Sequence, residues 1–268
     1  MEENTEQNQS SGLPSPSETQ AESTSLGDAL AGVFTEPGET FTAVKQSAKK
    51  NYWIIPILVV MVVSVISTVL VMGDEELVSE IQTKQKKAME ERFDKMVKEG
   101  TMSREQADQQ IEQSQKFMTG SMMMIFGLVF SVVGVLIFFF LKGLIYWGGI
   151  KIFKGAASYV DVLNVLGLSA IITAIQLVVD TVMAILMGKL MVNIGPVLLV
   201  SQQSVGNAMY TFLASFDLIN IWYLIVVGIG LAKVSSLSST KTISLVVVLW
   251  LIWVLLTSFG PLKFFVGG

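Results

Sequence analysis

Two carboxylates stand beside long apolar runs, and each could do chemistry. In "AIQLVVDTVMAIL", Gln176 and Asp180 are four residues apart, which puts an amide and a carboxylate on one face of a helix. Ionisable groups within a bilayer mark ion or proton paths, so this pair could line one. In "SFDLINIWYLIVVGIG", Asp217 precedes another apolar run, with Trp222 five residues on. There a structural role is simplest. An aspartate before a helix accepts bonds from free N–H groups at the positive end of the dipole, and a tryptophan one turn on anchors that end in the membrane interface. Asp180 has a structural reading too. The apolar run from Val162 to Asp180 is already 19 residues long, so the carboxylate would mark the outer end of a span. Both readings of Asp180 stand, the end marker being the simpler.

Other chemistry is poorly supplied. The chain contains no cysteine and no histidine, which removes thiol catalysis, Cys/His metal sites and any Ser-His-Asp triad. No paired catalytic carboxylates and no nucleophile–base set are visible, so the expectation is a protein that is not an enzyme and carries no cofactor and no metal. Met122, Met123 and Met124 read as adaptable packing residues. No basic patch points to nucleic acid.

The elements that must position these residues are membrane helices. Of 268 residues, 51% are apolar and only 15% charged, with a mean hydropathy of +0.60. Runs of about 20 apolar residues match the thickness of a bilayer core. The fold class expected is all-α, a polytopic membrane helix bundle with five transmembrane helices. The spans are Tyr52 to Met72, roughly Phe117 to Ile150, from near Val160 to between Asp180 and Met187, Leu218 to Lys233 extended backward by "YTFLAS", and Ile243 to about Phe259.

Around this membrane domain (51–268) lie three other segments. Residues 1–25 are polar, with no Lys or Arg. They are expected to be a disordered tail, and they lack the basic start and apolar core of a signal peptide, leaving insertion to an internal span. Residues 26–50 carry apolar positions at helical spacing, interrupted by Pro37-Gly38, and read as two amphipathic pieces at the membrane surface. Residues 73–116 read as a charged extramembrane helical hairpin. Leu77, Ile81, Ala88, Phe93, Met96 and Val97 form the stripe of its first helix, Gly100 ends it, and Ser103 with Gln106 has the form of a capping box that starts the second. That second helix is expected to run unbroken into the second span.

Small residues recur on that span at Gly120, Gly127, Ser131 and Gly134. They form a stripe on which another helix could pack closely, within the chain or in a partner. Short flanks set the orientation. With the N-terminus cytoplasmic, Lys45, Lys49, Lys50, Lys142, Lys151, Lys154, Lys233 and Lys241 lie inside, and Lys189 and Lys263 outside. The C-terminus is then outside. The hairpin's balance of acidic and basic residues does not decide the matter, because long loops cross largely regardless of charge.

The closing stretch "FDLINIWYLIVVGIGLAKVSSLSSTKTISLVVVLWLIWVLL" resembles the last two spans of the Yip family, the Ypt/Rab-interacting membrane proteins, in its prokaryotic branch. The positions carrying the likeness are Asp217, Trp222, Gly228 and Gly230. "FTEPGETF", with Pro37 and Phe41, and "SYVDVLNVLGLSAI" are similar to the family's lead-in and third-span start. The resemblance implies five spans, a cytoplasmic N-terminus and an outward C-terminus in the prokaryotic cytoplasmic membrane. Accessory roles beside transporters are one theme the resemblance implies. The missing catalytic set, the hairpin and the small-residue stripe make a membrane scaffold or accessory protein, holding another membrane protein or self-associating, the leading expectation. Eukaryotic relatives contact Rab-type GTPases, but this chain lacks their Asp-Leu-Tyr-Gly-Pro-type segment and inserts the hairpin, so that role does not carry over. The alternative function is a small transporter or channel with its polar path at Gln176 and Asp180.

Overall fold

The computed structural model describes residues 24–47, 51–117, 119–190, 194–201, 205, 207–260 and 262. Most of the polar tail over 1–25, and Lys49, Lys50 and Lys263, lie outside the described residues. Among the described residues the secondary structure is helical, with five helices long and apolar enough to cross a membrane. The chain is an all-α polytopic bundle.

Two short helices come first. α1 (Leu26–Thr35) starts where the Ser25 side chain accepts from the Asp28 N–H at 3.1 Å. It stops before Pro37, which disfavours helix at the residue ahead of it yet suits the first position of α2 (Pro37–Gln46). Ala29, Val33, Phe41 and Val44 are buried, and their helices pack on the bundle. The apolar face that reads as membrane-seeking is therefore covered by protein.

The first span is α3 (Ile54–Met72). It leads into the hairpin, α4 (Glu75–Lys98) and α5 (Arg104–Phe117). Asp74 caps α4 through the Leu77 N–H, and Gly100 turns the corner at φ +70°. The Ser103–Gln106 capping box forms with both of its reciprocal bonds, 3.1 and 3.2 Å. An Asp94–Arg104 ion pair clasps the tip. Leu77 and Ala107 are fully buried, and Ile81, Phe93, Met96 and Val97 remain half-buried.

The expected unbroken passage into the second span does not occur. α5 ends at Phe117, Thr119 is extended, and its side chain caps a new helix, α6 (Gly120–Val129), through the Met122 N–H. Thr and Gly side by side favour a helix start over a helix interior, and that local preference wins. A widened π turn at Phe130–Gly134 joins α6 to α7 (Val135–Ile152).

The third span is α8 (Tyr159–Met187), the central helix, about 43 Å long at 1.5 Å per residue. A full capping box, Ser158 with Asp161, starts it, and Gly188 at φ +59° ends it. From Val162 to Ala170 every residue is buried. Gly167 is what lets α3 cross it: a Cβ there would lie 2.4 Å from the Trp53 Cα. The sequence "YTFLAS" does not extend the fourth span backward. It contributes to a separate helix, α9 (Asn207–Ala214), and the chain restarts at Asp217 to form α10 (Leu218–Ser235). α11 (Ser239–Ser258) completes the bundle.

Polar bonds tie these helices where lipid supplies no hydrophobic drive. The Thr181 hydroxyl donates to Ser67 at 2.9 Å, joining α8 to α3. The Thr242 hydroxyl donates to the Gly228 carbonyl at 2.8 Å, joining α11 to α10. At the C-terminal end of α10, the Lys45 ammonium donates to the Val234 carbonyl and lies 3.6 Å from Asp161, fastening α2 to the ends of two spans.

Candidate functional site

A groove of about 470 Å³ opens between α7, α10 and α11, floored in part by Gln176 of α8. Its walls are mostly apolar, with Phe138, Leu141 and Ile145 on one side and Leu249, Trp253 and Leu256 on the other. Set among them are Lys142, Tyr146, Tyr223, Asn220 and Asp217. Lys142 and Tyr146 are one helical turn apart on α7, so a single face of that helix presents both. The Lys142 ammonium lies 5.7 Å from the centroid of the Tyr223 ring, within range of a cation–π contact. No described carboxylate forms an ion pair with it.

Asp217 stands at the end of the groove and is almost fully buried, 2% exposed. Its Oδ1 accepts from the N–H groups of Ile219 and Asn220 at 2.8 and 3.0 Å, and Oδ2 accepts from Ile194 N–H at 2.9 Å. The Leu218 N–H returns a bond to the Ile194 carbonyl at 3.0 Å. The carboxylate therefore caps α10 and also ties the preceding loop to its start. Trp222, one turn on, is half exposed on the outside of the bundle.

Gln176 and Asp180 do share a face of α8, but only Gln176 is among the groove's lining residues. The helix continues past Asp180 for seven residues to Met187. Asp180 Oδ1 is buried without a described hydrogen-bond partner. The small residues of the second span have separate surroundings. Gly127 faces Thr68 of α3, where a Cβ would sit 2.9 Å from the methyl group, and a Cβ at Gly120 would meet no described side chain within 4 Å. Ser131 and Gly134 belong to the π turn, Ser131 donating to the Leu128 carbonyl at 2.8 Å and Gly134 meeting Phe130 of its own helix.

Of the groove's polar residues, sequence reasoning singled out Gln176 and Asp217 but missed Lys142, Tyr146, Asn220 and Tyr223. Lys142 reads as an inner flank, yet α7 runs on to Ile152, ten residues beyond it. The signal that could have found Lys142 and Tyr146 is their four-residue spacing inside an apolar run.

The fold and groove define a class: a multi-pass membrane protein whose helices enclose a partly polar cleft and carry a helical hairpin between the first two spans. The chain belongs to the Yip family, because the family model described as the Yip1 domain matches residues 31–260. No curated protein and no solved structure matches it.

Proposed function

We propose that this chain is a non-catalytic membrane scaffold that uses its hairpin to hold a partner membrane protein. It would lie in a prokaryotic cytoplasmic membrane with its N-terminus inside and C-terminus outside. The observation carrying this reading is the hairpin itself. α4 and α5 are capped, clasped and packed on each other, and α4 is steadied at its base, where the Leu190 N–H donates to Glu80 at 2.7 Å. Yet Ile81, Phe93, Met96 and Val97 are only half covered by that packing. A rigid element with part of its apolar stripe uncovered supports a docking role. The transport alternative gains no such support, because Asp180 is not among the residues lining the groove.

The test is gentle extraction of the tagged full-length protein and identification of what accompanies it. A parallel variant has residues 75–117 replaced by a flexible linker. A stoichiometric membrane partner, lost with the hairpin while the spans keep their thermal stability, is the expected result. Equal recovery of that partner from the linker variant would sink the proposal.

A further inference from the structure

Three donors converge on the groove, and among the described residues none of them meets a hydrogen-bond acceptor. Tyr146 and Tyr223 are 7% and 8% exposed and both line the groove, yet among the described residues neither hydroxyl makes a hydrogen bond. The rings are buried, but neither hydroxyl oxygen is itself sealed in, so both phenols present a free donor to the groove. Lys142 lies beside them, over the Tyr223 ring, with no ion pair. The one carboxylate on the groove wall, Asp217, is engaged by three backbone N–H groups.

An ammonium and a phenol from α7 with a second phenol from α10 make a set that binds an oxyanion, since charge-assisted bonds to phosphate oxygens are the strong ones. The rest of the wall is apolar, and the outer faces of Ile137, Phe138 and Leu141 beside the groove are exposed on a helix of spanning length. That makes the groove reachable sideways from the hydrocarbon phase, and a cation held between membrane helices offers a charge-assisted bond to an acidic headgroup. A volume of about 470 Å³ also falls in the range of ligand clefts, about 300–1,000 Å³.

We propose that this groove is a binding site for an anionic glycerophospholipid. The phosphate accepts from Lys142, Tyr146 and Tyr223, and an acyl chain lies along Phe138, Leu141 and Leu256. The proposal does not depend on the scaffold reading.

The experiment reconstitutes the full-length protein into nanodiscs of phosphatidylcholine containing a minority of phosphatidylglycerol. Gentle re-extraction follows, and native mass spectrometry counts the lipid retained. Wild type is expected to keep phosphatidylglycerol in preference to phosphatidylcholine. Lys142→Met should reduce that retention by about tenfold or more, as expected for losing a hydrogen bond to a charged group. Tyr223→Phe should reduce it several-fold, and Lys241→Met should leave it unchanged. Equal retention of both lipids by wild type overturns the proposal, as does unchanged phosphatidylglycerol retention by Lys142→Met. If Lys142→Met protein does not fold, Tyr223→Phe decides, because it removes one oxygen and no bulk. Displacement of the lipid by glycerol phosphate at comparable concentration would assign the site to a soluble phosphoester and also overturn the lipid proposal.

Discussion

Replacing Gly167 with alanine should pry apart the crossing of α3 and α8. The added Cβ would lie 2.4 Å from both the Cα and the Cβ of Trp53, and 3.1 Å from its carbonyl oxygen. Carbon atoms pack best at about 3.5–4.0 Å, so α3 would have to retreat by about 1 Å. The obstacle is backbone, which cannot swing aside as a long side chain can. Retreat would also disturb the Trp53 ring, which stacks on Phe139 with centroids 5.5 Å apart and meets Phe140 edge-on at 5.5 Å. Overpacking of this kind costs about 1–3 kcal/mol, and the rigid neighbour puts it near the upper end. Alanine recovers about 1 kcal/mol as a better helix former than glycine. The net expectation is a loss of about 1–2 kcal/mol. Gly148→Ala is the matched control, a glycine within a span with nothing inside 4 Å of its virtual Cβ. It should be neutral or slightly stabilising. The assay is thermal unfolding of both variants in the same detergent, followed by tryptophan fluorescence. Equal midpoints for Gly167→Ala and Gly148→Ala would refute the close-crossing argument.

Three more outcomes are expected. Asp217→Ala removes the acceptor of three N–H bonds and should cost at least about 1–2 kcal/mol, the scale of a lost helix cap. Asp217→Asn, which keeps an oxygen, should cost less, and denaturant titration would compare them. Thr181→Val deletes the bond to Ser67 and should cost about 0.6 kcal/mol, the mean for such bonds in membranes; a loss above about 2 kcal/mol would show that the threonine does more than tie two helices. On the hairpin, the hydrogen bond and charge of Lys116 hold the Glu112 carboxyl below its ordinary range. The pair's contribution is therefore present above the unfolded carboxyl pKa and is lost as pH falls through the lower folded one. Carboxyl NMR titration should find Glu112 low in wild type and back in the usual range in Lys116→Met.

Reading the spans from the sequence works because a bilayer sets one length scale, about 20 apolar residues, and α3, α8, α10 and α11 meet it in single runs. The Asp217 cap and the hairpin's box were legible for a related reason, since each is a local bond between residues two or three apart. What hydropathy could not register is where a helix stops inside apolar sequence. Thr119 and the joint before Asp217 interrupt helices without interrupting the hydrophobic pattern. Nor does hydropathy distinguish an apolar face against lipid from one against protein, which is why α1 and α2 read as surface pieces. The groove was hidden because its polar members come from α7, α8 and α10, and their meeting is a tertiary fact.

The hairpin is jointed to its neighbouring spans at both of its ends. Asp74 separates it from the first span and Thr119 from the second, each an extended residue that caps a fresh helix. Two such joints cannot carry a bending moment as a continuous rod would, so a pull on the hairpin would pivot it more readily than tilt either neighbouring span. The Glu80 bond to Leu190 offers a different lever. It meets the chain just past Gly188, at the far end of α8, so strain applied to the hairpin is delivered to the helix at the centre of the bundle.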